Sequence, residues 1–182
     1  MPEFDSNHVK NIVLLGHSGS GKTTLAEQVK WLLHEQGIKT EIIDGDIYRR
    51  RLCPDLGFSK ADRNENIRRL AFVAGILSKH NVIAIICAIN PYQDIRQEIT
   101  DGYPDVKTVY IDCPIDVLIQ RDTKQLYRKA LLPAGHPEKI DNLTGVNDPF
   151  EIPAHPDLII KTDKETVDTS AQKLLQFVLR FL

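Results

Sequence analysis

The run from Gly16 to Thr23 carries the clearest chemical signal in the chain. It reads Gly-His-Ser-Gly-Ser-Gly-Lys-Thr and fits the pattern G-x-x-x-x-G-K-[ST]. An apolar run, Ile12 to Leu15, precedes it and an amphipathic stretch follows, so backbone N–H groups and a helix N-terminus would face one anion. In that geometry Lys22 neutralises the β- and γ-phosphates of a nucleotide, and the Thr23 hydroxyl holds Mg²⁺. The residues predicted to surround the phosphates are Gly16, Ser18, Gly19, Ser20, Gly21, Lys22, Thr23 and Thr24.

Such a phosphate-binding loop occurs in kinases, switch GTPases and ATPase motors, so other motifs must separate them. The nearest approach to the guanine-selecting motif [NT]-K-x-D is Ser59-Lys-Ala-Asp62, which opens a predicted helix instead of ending a strand. The sequence also contains no D-x-x-G switch motif. A glycine turn that merely caps a helix is the alternative, and the strand-loop-helix context disfavours it. The chain length favours a small-molecule kinase with a lid.

A second chemical signal is the pair Asp44 and Asp46, separated by Gly45 at the end of a predicted strand. Alternation in an extended segment would place both carboxylates on one side, with a sharp turn at the glycine. A carboxylate beside a phosphate-binding loop can accept a hydroxyl proton or hold Mg²⁺ through water. An ordinary Asp-Gly turn is an equally good reading of these residues alone.

Arginines follow this pair in two groups. Arg63 and Asn66 are three positions apart at the start of a predicted helix, so they would point the same way and could meet Arg49 across a shallow pocket. Guanidinium groups bind phosphate or sulfate through paired N–H donors, which predicts a second anionic ligand. Arg50, Arg51 and Arg68 are read as solvated surface residues.

The elements that must position these residues alternate short β-branched runs with stretches of helical period. This alternation predicts an α/β fold of three layers, α/β/α, with a five-stranded parallel sheet. Residues 123–153 form a polar, proline-containing exception without a clear period, which predicts a lid. The predicted strands are Ile12 to Leu15, Thr40 to Ile43, Val82 to Ala88, Val106 to Ile111 and Asp157 to Ile160.

Composition narrows the functional classes further. The chain has 182 residues, 42% of them hydrophobic, and 23 basic against 25 acidic residues, which predicts one globular domain over 1–182 and no nucleic-acid partner. Its longest apolar runs fall far short of the roughly 20 residues that cross a bilayer, which predicts no membrane partner. The first eight residues have neither the basic start nor the apolar stretch of a secretory signal, so a cytoplasmic protein is expected.

Six segments together make the chain resemble the adenylylsulfate kinase family over about residues 10 to 165. They are Asp44-Gly-Asp46-Ile-Tyr-Arg49, Leu56-Gly-Phe58-Ser59, Asp62-Arg63-Asn-Glu65-Asn66-Ile-Arg68-Arg69, Ile89-Asn-Pro91-Tyr92, Arg121-Asp122-Thr-Lys124-Gln-Leu-Tyr127 and Leu143-Thr-Gly145-Val-Asn-Asp-Pro-Phe. The resemblance implies the P-loop kinase fold, ATP and Mg²⁺ as cofactors, and a homodimer. It also implies transfer of the ATP γ-phosphate to the ribose 3′-hydroxyl of adenosine 5′-phosphosulfate.

The resemblance further implies roles for single residues. Asp46 would be the base or Mg²⁺ organiser at the 3′-hydroxyl, and Phe58 would stack on the adenine of the acceptor. Arg121 and Lys124 would lie over ATP at the root of the lid. The residues that would bind the phosphosulfate nucleotide are Asp46, Arg49, Phe58, Arg63, Asn66, Ile89, Asn90 and Lys139.

Departures from the family pattern leave two alternatives open. Asn90 stands where the family usually has a serine; an amide cannot carry a phosphoryl group, so direct in-line transfer is expected. Asp141 stands where the family has a lysine, with Lys139 close by as a substitute, and His17 replaces a usual leucine. Asp141 and Asn90 favour a different anionic acceptor, for example a cytidine-based nucleotide, as the second hypothesis. The retained Phe58, Arg63 and Asn66 favour adenosine 5′-phosphosulfate. A catalytically inactive nucleotide-binding module is the third.

Overall fold

The computed structural model describes residues 11–182, and its centre is a parallel sheet of five strands in the order β2-β3-β1-β4-β5. Strands β1 and β3 are buried along their whole length, as expected for apolar runs covered on both faces. The five strands are β1 (Asn11–Leu15), β2 (Thr40–Asp44), β3 (Ile83–Ala88), β4 (Val106–Asp112) and β5 (Leu158–Lys161).

Helices cover both faces of the sheet and enclose two apolar cores. Helices α1 and α7 pack on one face, and α3 and α4 pack on the other. The helices are α1 (Lys22–His34), α2 (Gly45–Leu52), α3 (Lys60–Ser78), α4 (Gln93–Gly102), α5 (Ile115–Arg121), α6 (Leu126–Ala130) and α7 (Val167–Leu179). The predicted three-layer arrangement with five parallel strands is confirmed, and each predicted strand boundary agrees to within one residue.

The start of α2 corrects one prediction. Gly45 and Asp46 do not continue the extended strand, because Asp44 is the N-cap of α2 and its carboxylate accepts hydrogen bonds from the Asp46 and Ile47 amides. Asp44 and Asp46 therefore do not alternate along a strand. The physical reason is that an Asp side chain at a strand end can satisfy the free N–H groups of a following helix.

Helix α3 begins with a capping box between Ser59 and Asp62. The Ser59 side chain accepts from the Asp62 amide, and the Asp62 carboxylate accepts from the Ser59 amide at 3.3 Å and from its hydroxyl at 2.7 Å. This reciprocal pair fixes where α3 begins. It thereby sets the position of Arg63, which lies one residue further along the helix.

The lid, residues 123–153, is less irregular than its sequence suggests. It contains α6 and packs a small apolar cluster against α5 that includes Leu118, Tyr127 and Leu143. No helix among residues 11–182 is long and apolar enough to span a bilayer. The expected lack of a secretory signal concerns residues outside the described part of the chain, and the single domain over 1–182 stays a prediction.

Candidate active site

The phosphate loop (residues 16–23) connects β1 to α1, as its sequence predicts. Gly21 has φ 97° and forms the N-cap of α1, a left-handed conformation that favours glycine. A side chain at Gly16 would have its Cβ 2.5 Å from the Ile111 carbonyl oxygen, so only glycine fits between β1 and β4. The loop therefore brings backbone N–H groups and the positive end of α1 to one place.

Lys22 is buried at the first position of α1. Its Nζ atom donates to the carbonyl oxygens of His17 at 2.7 Å and Gly16 at 3.0 Å. Burial disfavours the charged ammonium and lowers the pKa of Lys22 to about 8. The side chain thus places a cation inside the phosphate loop. An anionic ligand there would give the Lys22 ammonium a fully charged partner in place of the two carbonyl oxygens.

A cavity of about 230 Å³ opens in front of this loop, and we call it the phosphate cavity. Thr23 donates its hydroxyl to the Asp44 carboxylate at 2.6 Å, while the Asp46 carboxylate pairs with the Lys124 ammonium at 2.5 Å. Thr23 therefore contacts Asp44 directly, and Asp46 lines the same cavity from the first turn of α2. The lining residues are Ser18, Gly19, Gly21, Lys22, Thr23, Thr24, Asp44, Asp46, Cys87, Ala88, Ile89, Thr123 and Lys124.

Two hydroxyl groups contact the phosphate loop, one from the lid and one from the residue after β5. Tyr127, which is buried, donates its hydroxyl to the Ser18 carbonyl oxygen at 2.8 Å, and Thr162 donates to the Ser20 carbonyl oxygen at 2.9 Å. Arg121 donates to the Thr162 carbonyl oxygen at 3.1 Å and lines a narrow cleft with Ser18 and Lys124. Arg121 and Lys124 thus lie beside the phosphate loop. No local motif indicated the hydroxyl contacts.

A second cavity of about 80 Å³ lies between α2, α3 and the loop after β3, and we call it the acceptor pocket. It is lined by Gly45, Asp46, Arg49, Phe58, Arg63, Asn66, Ile67, Ala88, Ile89, Asn90 and Pro91. Asp46 and Ile89 line both cavities, so the two cavities meet at these residues. The structure thereby brings together the P-loop lysine, the candidate base and all but one of the predicted acceptor-binding residues.

One wall of the acceptor pocket is an aromatic ring between two cations. The Phe58 ring is 53% exposed, and the guanidinium carbons of Arg49 and Arg63 lie 4.6 Å and 5.5 Å from its centroid. Arg49 also donates to the Gly57 carbonyl oxygen. An exposed ring flanked by guanidinium groups is suited to stack on a flat, electron-rich base.

Two of the predicted acceptor-binding residues, Arg63 and Lys139, are bound by groups of the lid. Arg63 is only 8% exposed; it donates to the Asn142 carbonyl oxygen at 2.7 Å and pairs with the Asp148 carboxylate at 2.7 Å, so the lid balances much of its charge. Lys139 donates to the Leu132 carbonyl oxygen at 2.5 Å. Lys139 is not among the described residues that line the acceptor pocket, because carbonyl oxygens of the neighbouring lid segment bind its ammonium group.

Asn66 and Asn90 lie at the base of the acceptor pocket and are 7% and 3% exposed. Within the described part of the chain, the side-chain oxygens of both amides are buried without a hydrogen-bond partner. A buried acceptor without a donor costs free energy, so both oxygens are suited to take N–H or O–H donors from a ligand. Asn90 has φ 48°, a left-handed conformation that asparagine tolerates better than most residues.

His17 joins the phosphate loop to the lid. Its ring centroid lies 4.2 Å from that of Phe150, and its edge contacts Gly145. Burial lowers the pKa of His17, with Lys22 adding to this effect, while the Thr144 carbonyl and Asp112 oppose it. Burial under the lid therefore favours the neutral form of the His17 imidazole.

We expect the pH dependence of stability to change when His17 is replaced by leucine. In the folded protein the pKa of His17 lies below 6.5, its ordinary value, so at mildly acidic pH the unfolded chain binds more protons than the folded one. The wild-type protein therefore loses stability as pH falls below 6.5. His17→Leu removes this loss. Urea unfolding at about pH 7.5 and about pH 5.5 measures it, with the exposed His155→Leu as control. Equal loss of stability in the wild type and His17→Leu would contradict the prediction.

The fold and the site define a class of protein. A parallel sheet of order β2-β3-β1-β4-β5, a phosphate loop after β1 and a lid over a second pocket make this chain a P-loop kinase. The family profile described as adenylylsulphate kinase matches residues 9–161. The chain therefore belongs to the adenylylsulfate kinase family.

Individual relatives agree with this assignment. The chain is 45% identical to the adenylyl-sulfate kinase of Halothermothrix orenii over 90% of this chain and 85% of that protein, and 46% identical to that of Chloroflexus aurantiacus over 88% and 83%. Among solved structures, it is similar to the APS kinase of Mycobacterium tuberculosis in complex with AMPPNP and APS. That structure has a TM-score of 0.85 and 35% identity, and the match covers 95% of this chain and 98% of that one.

Proposed function

We propose that this protein transfers the γ-phosphate of ATP to the ribose 3′-hydroxyl of adenosine 5′-phosphosulfate (APS). The observation that carries the proposal is the meeting of the phosphate cavity and the acceptor pocket at Asp46. One cavity holds Lys22, and the other holds Arg49 and Phe58, so two anionic nucleotides can lie end to end with Asp46 between them. The family assignment supports the same reaction.

The phosphate loop would supply electrostatic stabilisation on the donor side. Backbone N–H groups at the start of α1 and the Lys22 ammonium face the place where the transferred phosphoryl group would lie. Phosphoryl transfer spreads negative charge over the equatorial oxygens, so fixed positive groups stabilise the transition state more than the ground state. Arg121 and Lys124 at the lid root would add positive charge and exclude water.

The donor set beside Lys22 fits Mg²⁺. Thr23 and Asp44 offer a hydroxyl and a carboxylate 2.6 Å apart, and Asp46 lines the same cavity. Among residues 11–182, no group of three His, Cys, Asp or Glu side chains could hold a metal, which suits an ion that takes most of its ligands from water and substrate phosphates. Bound there, Mg²⁺ would neutralise charge on the β- and γ-phosphates. Thr23, Asp44 and Asp46 are the residues we assign to it.

On the acceptor side, Asp46 would accept the proton of the 3′-hydroxyl. Arg49 would bind the phosphosulfate, Phe58 would stack on the adenine, and Asn66 and Asn90 would accept hydrogen bonds from the nucleotide. Because Asn90 carries an amide, the phosphoryl group would pass directly between the two substrates. A homodimer and a cytoplasmic location stay predictions; an APS kinase from Thiobacillus denitrificans, which this chain matches over 28% of that chain's length, is hexameric.

The deciding experiment measures ADP release from ATP and Mg²⁺ with APS and with a panel of other nucleotides that includes cytidine-based ones. We expect turnover with APS and formation of the 3′-phosphorylated product. Activity on another nucleotide together with none on APS would reject the proposed acceptor. ATP binding without turnover of any acceptor would favour a catalytically inactive module.

Arg63→Lys tests the acceptor pocket. We expect the KM for APS to rise by about tenfold, since an ammonium cannot reproduce the forked contacts of the guanidinium with Phe58, Asn142 and Asp148. The KM for ATP should stay close to the wild-type value. Arg50→Lys, an exposed change on α2, is the matched control. An unchanged KM for APS in Arg63→Lys would exclude Arg63 from the acceptor pocket's function.

A further inference from the structure

Arg96 on α4 is a buried cation that the proposed reaction does not use directly. It is 4% exposed, and its Nε atom donates to the Asn90 carbonyl oxygen at 3.1 Å. One terminal nitrogen donates to the carbonyl oxygens of Pro91, at 2.8 Å, and of Glu151, and the other donates to the Gln93 side-chain oxygen at 3.1 Å. Four of its five N–H donors are thus used, which offsets the cost of burying the charge.

These contacts connect two segments that are distant in sequence. The Glu151 amide donates to the Pro91 carbonyl oxygen at 2.9 Å, and the Glu151 carboxylate accepts from the Gln93 amide at 2.6 Å, at the start of α4. The Phe150 ring centroid lies 5.7 Å from the Arg96 guanidinium carbon. We call this arrangement the Arg96 junction; it consists of Arg96, residues 90–93 and residues 150–151.

The Arg96 junction lies behind the acceptor pocket. Asn90 and Pro91, which it holds by their carbonyl oxygens, line that pocket, whereas Phe150 and Glu151 belong to the lid. Asn90 has a left-handed backbone that costs free energy and persists only when its surroundings hold it. The Arg96 contact to the Asn90 carbonyl oxygen supplies such a constraint.

We infer that Arg96 is a positioning residue that couples the C-terminal part of the lid to the wall of the acceptor pocket. This inference rests on the proposed function for its kinetic consequence. When the junction is intact, the lid segment and the loop after β3 are held in one arrangement, and the acceptor meets a preformed pocket. When it is broken, only a fraction of molecules has the pocket formed, and the apparent affinity for the acceptor falls by that fraction.

The kinetic test uses two variants. Arg96→Met keeps a long side chain but removes the charge and every N–H donor, whereas Arg96→Lys keeps the charge with fewer donors. We expect the KM for APS to rise by about tenfold in Arg96→Met and by less in Arg96→Lys. The KM for ATP should stay within about twofold of the wild-type value, because Arg96 does not line the phosphate cavity. Arg68→Met is the matched control, since it removes a paired-fork contact between Arg68 on α3 and Glu98 on α4 at 2.6 Å and 2.8 Å while leaving the junction intact.

A second measurement separates this role from general stability. Hydrogen–deuterium exchange of the substrate-free protein should be faster in Arg96→Met at residues 90–93 and 142–152, with the phosphate loop and α1 unchanged. An unchanged APS KM with unchanged exchange would overturn the inference. A parallel rise of both KM values with faster exchange throughout the sheet would also overturn it, since the effect would then be global. If the wild-type protein does not phosphorylate APS, the proposed function fails, while exchange still tests the junction.

Discussion

Replacing Lys22 by alanine should lower kcat for phosphorylation of APS by about a thousandfold or more. Lys22 is buried, and its Nζ atom lies 2.7 Å and 3.0 Å from two carbonyl oxygens of the phosphate loop. It is therefore held where the γ-phosphate of ATP would lie against the start of α1. Because charge shifts toward the transferred group's oxygens in the transition state, losing this fixed cation removes stabilisation that neighbouring N–H dipoles cannot replace.

The control for Lys22→Ala is Lys30→Ala on the same helix. Lys30 forms a half-exposed pair with Glu41 at 3.1 Å and lines neither the phosphate cavity nor the acceptor pocket, so its removal should leave kcat unchanged. Steady-state rates and thermal unfolding of both variants should be compared with the wild-type protein. If folded Lys22→Ala kept kcat within tenfold of the wild-type value, the phosphate loop would not be the phosphoryl-transfer site.

Asp46→Asn should lower kcat by about a hundredfold while ATP affinity changes little. The amide has nearly the same shape as the carboxylate but cannot accept the proton of the acceptor hydroxyl. Asp46 lies where the phosphate cavity and acceptor pocket meet, with its carboxylate 2.5 Å from Lys124. Initial rates and the dissociation constant of a non-hydrolysable ATP analogue separate the chemical step from binding.

Asp44→Asn is the informative comparison for Asp46→Asn. Asp44 accepts from the Thr23 hydroxyl, so its replacement should weaken Mg²⁺-dependent ATP binding, while asparagine can still cap α2 and should leave stability nearly unchanged. The two neighbouring aspartates should thus give different kinetic signatures. A fall in kcat for Asp44→Asn with none for Asp46→Asn would move the base from Asp46 to Asp44.

Much of this architecture follows from local sequence patterns. The conformation of the phosphate loop and of β1 before it follows from local residue types. Glycines permit the left-handed turn, and β-branched residues favour the strand. The capping box at Ser59 likewise needs only residues three apart. Strands β1 and β3 were predictable because a strand buried on both faces reads as a continuous apolar run.

The sequence did not determine which distant polar groups meet. Arg63 pairs with Asp148, and Arg96 holds Glu151, because the lid folds back over α3 and α4; no periodicity connects these positions. Lys139 looked available for an anion, yet its own turn binds its ammonium. Asp44, not Asp46, lies against Thr23, because a helix begins directly at the strand end. Local hydrogen bonds and periodicity depend on residues that are close in sequence. The partners of long charged side chains depend on how elements that are remote in sequence pack together.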